Sequence, residues 1–115
     1  MIQSLGDDGE ELAVDYLRNR GCTVLHRNYR TPVGEVDIIV RDRETVVFVE
    51  VKARSTLSFG QPFEAVDLRK QAKLRKIALY YLKQRGMEAP VRFDVISILF
   101  RKGKGEITHI KEAFF

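Results

Sequence analysis

Apolar residues recur along the chain with two different rhythms. From Leu5 to Arg20 the spacing is helical, with Leu5, Leu12, Ala13, Tyr16 and Leu17 on one side, and the run stops at Gly21, a residue suited to a helix C-terminus. Three extended runs follow: Thr23 to Tyr29, Glu35 to Val40 and Thr45 to Val51. The last two are rich in Val, Ile and Phe and are parted by the polar tip Asp42-Arg43-Glu44. Asp67 is a good N-cap for a second helix, whose stripe Leu74, Ile77, Ala78, Tyr81 and Leu82 ends before Gly86. Pro90 breaks the helix, and Val91 to Phe100 returns to β-branched and aromatic residues. Lys102-Gly103-Lys104-Gly105 then reads as a hairpin turn into a last strand at Glu106 to Ala113. The predicted order αβββαββ makes an α/β fold, helices packed on a mixed central sheet. No repeat or low-complexity linker divides it, so residues 1–115 are expected to form a single domain.

Against this pattern, a few charges stand out. Val46 to Val51 should be a buried central strand, and Glu50 and Lys52 at its end are costly unless paired or bound to something. Strand parity puts Glu50 and Lys52 on one face of their strand, and Glu35 and Asp37 on one face of theirs. If the intervening turn is centred on Arg43 and Glu44, partners sum to 87, which sets Asp37 opposite Glu50 and Glu35 opposite Lys52. A three-residue loop would instead put Asp37 and Glu50 on opposite faces. Directly paired residues have Cβ atoms about 5 Å apart, and two carboxylates that close need a proton or a cation between them. Asp37 and Glu50 are thus candidate ligands of a hard metal, with the Val51 main-chain carbonyl as a third donor. Mg²⁺ held this way suits phosphodiester hydrolysis, in which Lys52 orients the attacking water or steadies the developing charge. The competing reading is structural: a buried Asp37 to Lys52 ion pair, with Glu50 solvated at a strand end.

Composition narrows the classes further. The chain has 115 residues, 44% hydrophobic and 31% charged, a globular balance, and Lys plus Arg (20) exceed Asp plus Glu (16) for a net charge of +4. Cys22 is the only cysteine, which rules out an internal disulfide and a Cys-cluster zinc site. The start Met1 to Asp8 lacks a signal-peptide pattern and no apolar run is long enough to span a bilayer, so a cytoplasmic, non-membrane protein is expected. His26, His109 and Cys22 look isolated and read as ordinary packing or surface residues.

Several segments together resemble the PD-(D/E)xK nuclease superfamily, and more closely the bacterial YraN-like family, which is similar to archaeal Holliday junction resolvases. These are Gly6-x-x-Gly9-Glu10 with Ala13 and Tyr16-Leu17, Asn28-Tyr29-Arg30, Gly34-Glu35-Val36-Asp37, Phe48-Val49-Glu50-Val51-Lys52-x-Arg54, Phe59-Gly60, and Phe93-Asp94-Val95-Ile96. The resemblance implies a restriction-endonuclease-like αβββαβ core, Mg²⁺ or Mn²⁺ ligation by Asp37 and Glu50, and a catalytic role for Lys52. It further implies that Glu10 completes the acidic cluster; Glu35, on the same strand face as Asp37, is an accessory acid by parity. Helical spacing supports Glu10 over Glu11, because Glu10 aligns with Ala13 and Leu17. One departure is Val36, which stands where the superfamily has a proline.

The second helix concentrates base: Arg69, Lys70, Lys73, Arg75, Lys76, Lys83 and Arg85 against Asp67. Such an element fits phosphate tracking as well as an ordinary solvated face; Arg27, Arg30, Arg54 and Lys52 add base near the proposed site. Gln71 points inward at the helix start, and in related nucleases a Gln or Lys on this helix approaches the active site, which nominates Gln71 or Lys70 for a phosphate or water contact. Phe114-Phe115 is expected either to pack on the core or to form a dimer contact, and a homodimer would suit a two-fold-symmetric junction. The leading expectation is a metal-dependent DNA endonuclease, with branched or otherwise structured DNA as a candidate substrate. The alternatives are a non-catalytic nucleic-acid-binding module with the same fold, and a structural protein whose charges form internal ion pairs.

Overall fold

Two helices cover opposite faces of one mixed sheet because each carries a single apolar stripe. The computed structural model describes residues 5–55 and 66–114; Met1 to Ser4, Phe59-Gly60 and Phe115 lie outside the described residues. Along the chain come α1 (Leu5–Asn19), β1 (Thr23–Arg30), β2 (Glu35–Asp42), β3 (Thr45–Ser55), α2 (Leu68–Gln84), β4 (Val91–Arg101) and β5 (Lys104–Phe114), the order the sequence predicts. The strands lie side by side in chain order, antiparallel throughout except for the β3 to β4 pair, which is parallel and joined across α2. This α/β arrangement, helices on a mixed sheet, is consistent with a restriction-endonuclease-like core. Among the described residues no helix is long and apolar enough to cross a membrane.

On one face Ala13, Val14 and Leu17 of α1 pack on Ile38, Val40, Val47, Val49, Ile96 and Ile98. On the other, Leu74, Ile77, Ala78 and Tyr81 of α2 pack on Val36, Ile39, Val46, Phe48, Phe93, Val95 and Phe114. Phe114 therefore belongs to the core, stacked on Phe93 at 4.7 Å between ring centroids. The helices are capped as the sequence suggests: Asp67 Oδ1 accepts the Lys70 N–H at 2.9 Å, and past the C-cap Arg85 comes Gly86 with φ 59°.

The central hairpin turns on Arg43 and Glu44, with Arg43 at φ 59°, and its pairs from Asp42↔Thr45 to Ile38↔Val49 all sum to 87. The predicted register is correct up to that point, but the ladder ends one pair short of Asp37 and Glu50. Val36 joins the α2-side core while Ile38 joins the α1-side core, although residues two apart on a regular strand share a face. β2 therefore breaks stride at Asp37. Across from it in β1, pairing jumps from Arg27↔Ile38 to Tyr29↔Val36, and the skipped Asn28 has the left-handed φ of 51°. The last hairpin departs from expectation: its turn is only Lys102-Gly103, both at positive φ as a type I′ turn requires, so Lys104 and Gly105 belong to β5. Both outer strands are bulged, β1 between Val24 and His26, and β5 where Phe114 and Ile110 face Phe93 and Val95.

Candidate active site

The break in β2 builds the site. With the ladder ended, Asp37 Oδ2 accepts the Val51 N–H at 2.8 Å, so a carboxylate takes the place of a strand carbonyl and is fixed against β3. Glu50, one residue earlier on β3, turns to the α2 face, where its side chain is only 6% exposed and lies 2.6 Å from Lys70 Nζ. Lys52 follows on the same face, close enough to Lys70 for the two like charges to oppose one another. Gly6, Glu10, Asp37, Val51, Lys52 and Ala53 line a cleft of about 310 Å³ where β2 leaves β3.

Glu10 enters this cleft from the second turn of α1. Its Oε1 accepts from Arg27 Nε at 3.2 Å and Asn28 Nδ2 at 3.1 Å, and its side chain is 13% exposed. Glu11, bound to Arg27 Nη2 at 2.6 Å, is 52% exposed. The helical-spacing argument for Glu10 over Glu11 therefore agrees with the geometry. Asn28 contributes twice, since Asn tolerates the left-handed backbone that β1 needs here and its amide reaches Glu10.

The electrostatics are those of a site short of positive charge. Burial raises the Asp37 pKa above the usual Asp value, and Glu35 adds to the rise; the Val51 N–H, Lys70 and Lys52 oppose it. Burial likewise raises Glu50, and the neighbouring Asp37 charge reinforces it, against the pull of Lys70. Burial and the adjacent Lys70 both lower Lys52. Lys70 is itself raised: burial works against its charge, but Glu50 more than compensates.

Some expectations are corrected. Glu35 does not face Lys52; the break at Asp37 turns it outward, where it meets Arg30 at 3.2 Å in an exposed pair. The structural reading also fails in its particulars, because Glu50 is buried rather than solvated and its partner is Lys70. Gln71 folds its amide back onto the Val66 carbonyl at 3.2 Å, so Lys70 is the α2 residue brought into the site. Lys73 lies on the exposed side of α2, Arg54 is half-buried on β3, and Arg30 is exposed. His26 and His109 are not isolated: His26 Nε2 lies 2.7 Å from Arg85 Nη2, and His109 Nε2 lies 2.7 Å from Asp94 Oδ2. Cys22 is half-buried, and burial pushes its thiol up.

Among the described residues no group of three or more His, Cys, Asp or Glu is arranged to hold a metal ion. The donor chemistry nonetheless suits a hard divalent cation. The charge of half-buried Asp37 is felt at buried Glu50, and an ammonium 2.6 Å from Glu50 already supplies positive charge there.

Residues 9–98, a span running from just before Glu10 to beyond Lys73, match the family described as Uncharacterised protein family UPF0102. The chain belongs to the UPF0102 family. This is the YraN-like family that the sequence motifs resemble. A UPF0102 protein of Thermodesulfovibrio yellowstonii is 50% identical over 111 residues, covering 96% of this chain and 96% of its own. One from Geobacter metallireducens is 49% identical over 113 residues, covering 97% and 93%. One from Syntrophomonas wolfei is 47% identical over 115 residues, covering 99% and 100%.

Two features of this UPF0102 chain escaped sequence reasoning. The first is the Arg27 and Asn28 clamp on Glu10, which no local pattern announces. The second is a buried network on the α1 side of the sheet. There Asp94 binds Arg92 through both oxygens (2.9 and 3.1 Å), His109 at 2.7 Å and the Glu112 N–H at 3.2 Å. Arg92 also reaches Asp42, and Tyr16 reaches His109. An acid inside the apolar run Val91 to Phe100 was the available signal.

Proposed function

We propose that this UPF0102 protein is a metal-dependent DNA endonuclease whose centre is the cleft lined by Asp37 and Lys52, with Glu50 beside it. The observation that carries the reading is Asp37, locked to the Val51 N–H at 2.8 Å, on one cleft with Glu10 and Lys52 and with its charge felt at Glu50. Asp37, Glu50 and the Val51 main-chain carbonyl would hold Mg²⁺ or Mn²⁺, with Glu10 on the same cleft wall. When bound, such an ion supplies a Lewis acid for a phosphoryl oxygen and acidifies a water.

The chain's own groups do the rest. The Val51 N–H keeps the Asp37 carboxylate aimed, and the Arg27 and Asn28 donors keep Glu10 from swinging outward. The Lys52 ammonium donates to the attacking water or to a phosphate oxygen as negative charge develops. Arg30, Arg54, Lys70 and Lys73 would supply positive charge for the strand on either side of the scissile bond. Branched DNA is the substrate form the family resemblance favours.

The test is cleavage of four-way junctions, linear duplex and single strands in Mg²⁺ or Mn²⁺. Nicking by the parent chain that disappears in Asp37→Asn and in Lys52→Ala is expected. Absence of any cleavage that depends on these two residues would remove the catalytic reading. One observation favours a second reading, a non-catalytic nucleic-acid-binding module: Glu50 and Glu10 already have cationic partners within the chain. That module would bind DNA in a salt-sensitive way without calorimetric Mn²⁺ binding.

A further inference from the structure

Glu50 and Lys70 are unequal partners. Glu50 sits on a strand paired with β4 at the Glu50↔Val95 position, and its side chain is 6% exposed, so its carboxylate has no second place to go. Lys70 projects from the first turn of α2, its backbone fixed by Asp67 and its side chain 34% exposed. A long flexible stem on a pinned backbone can carry its ammonium to a second acceptor without moving the helix. The ammonium at 2.6 Å from Glu50 Oε2 occupies lone pairs that a divalent ion at Glu50 and Asp37 would need. Both cations cannot use that oxygen at once.

We infer that Lys70 is a resident counter-ion, holding Glu50 while the site lacks metal and displaced from it when a divalent cation binds. The inference rests on the reading of Asp37 and Glu50 as metal ligands and adds to it a competition that sets the metal affinity. Without Lys70, buried Glu50 and its neighbour Asp37 would face the metal-free state with one cation fewer, so the folded site would be less stable empty and more avid for metal. Once displaced, the ammonium remains near Lys52 at the cleft, where a phosphate oxygen of a bound strand offers it a new acceptor. Metal binding and strand binding then favour one another reciprocally.

Calorimetric titration of the full chain with Mn²⁺, alongside thermal unfolding in chelator and in Mn²⁺, tests this. Lys70→Met is expected to bind Mn²⁺ on the order of tenfold more tightly than the parent, since breaking a buried pair leaves a charge that a new cation can satisfy. It should also melt lower in chelator and gain more from Mn²⁺. Lys70→Gln, which keeps a donor but no charge, should shift in the same direction if Lys70→Met folds poorly. Lys70→Arg should stay close to the parent. Unchanged or weaker Mn²⁺ binding in both Lys70→Met and Lys70→Gln overturns the competition while leaving the metal site standing. Mn²⁺ binding that survives Asp37→Asn, or no binding by any variant, overturns the metal reading beneath it and the competition with it.

Discussion

Asp37 and Asp94 do the same local task in different surroundings: each carboxylate accepts a strand N–H where a ladder is interrupted, from Val51 and from Glu112 respectively. Their surroundings push them in opposite directions. For Asp94 the cost of burial is overcome by His109, Arg92 and the Glu112 N–H, so its pKa lies below the ordinary value. A depressed folded-state pKa contributes stability that is complete above the unfolded value near 4 and is lost as pH falls through the folded one. Asp94→Asn should therefore cost about 3 kcal/mol at neutral pH, because it takes from the half-buried Arg92 one of its two carboxylate partners and leaves it only Asp42, and the difference from the parent should close in strong acid; urea unfolding across pH measures both. Asp37 is raised instead. The stability its proton gives is complete below about pH 4 and is lost as pH rises through the folded value. In metal-free protein Asp37→Asn should then be neutral to stabilising, by up to about 1 kcal/mol at pH 7, with no gain in acid, while cleavage is lost. Calorimetric melting in chelator checks the first part. Asp37 was legible in the sequence because a lone acid in an apolar strand has few explanations. Lys70 as the partner of Glu50 was less so, since helical spacing says which way a side chain leaves α2 but not how far its flexible stem bends back.

The elements themselves were easier to read than their irregularities. A two-residue turn at Arg43-Glu44 dictates the register of β2 on β3, so simple addition placed every pair from Asp42↔Thr45 to Ile38↔Val49. Addition failed at Asp37 because the break there depends on a bond to the neighbouring strand and on Asn28 in the strand beyond, neither of which parity can see. Gly9 is a similar case. Within the motif it marks a resemblance; in the fold it marks where α1 touches β3, for a Cβ built on Gly9 would stand 2.7 Å from the Ala53 Cβ. Both atoms are tied directly to backbone, so neither can turn away. Gly9→Ala should cost about 1–3 kcal/mol through overpacking, more than the helix propensity that Ala gains. It should also lift Glu10 off the cleft. A lowered urea midpoint for Gly9→Ala, against little change for alanine at exposed Glu11 or Asp15, would bear this out.

For the molecule as a whole, a net charge of +4 conceals a division of labour. Acid gathers at the start of α1 and at Asp37 and Glu50, while base lines the outer side of α2 and the approach to Lys52. If α2 follows a phosphate backbone, each lost contact should lower the slope of log affinity against log salt by about 0.9. Lys73→Ala is expected to do so without altering Mn²⁺ binding, as measured by fluorescence anisotropy over a salt series. The rims of the sheet behave differently from its faces. Both outer strands are bulged, and Glu112 on β5 has a φ of 50°, so neither rim presents a straight row of amides and carbonyls to a newcomer. Exposed Arg27 and Arg30 on one rim and Lys104, Glu106 and Lys111 on the other add charge that an incoming strand would have to accommodate. Among the described residues the sheet thus has five strands, and both of its rims are built to refuse a sixth from another chain.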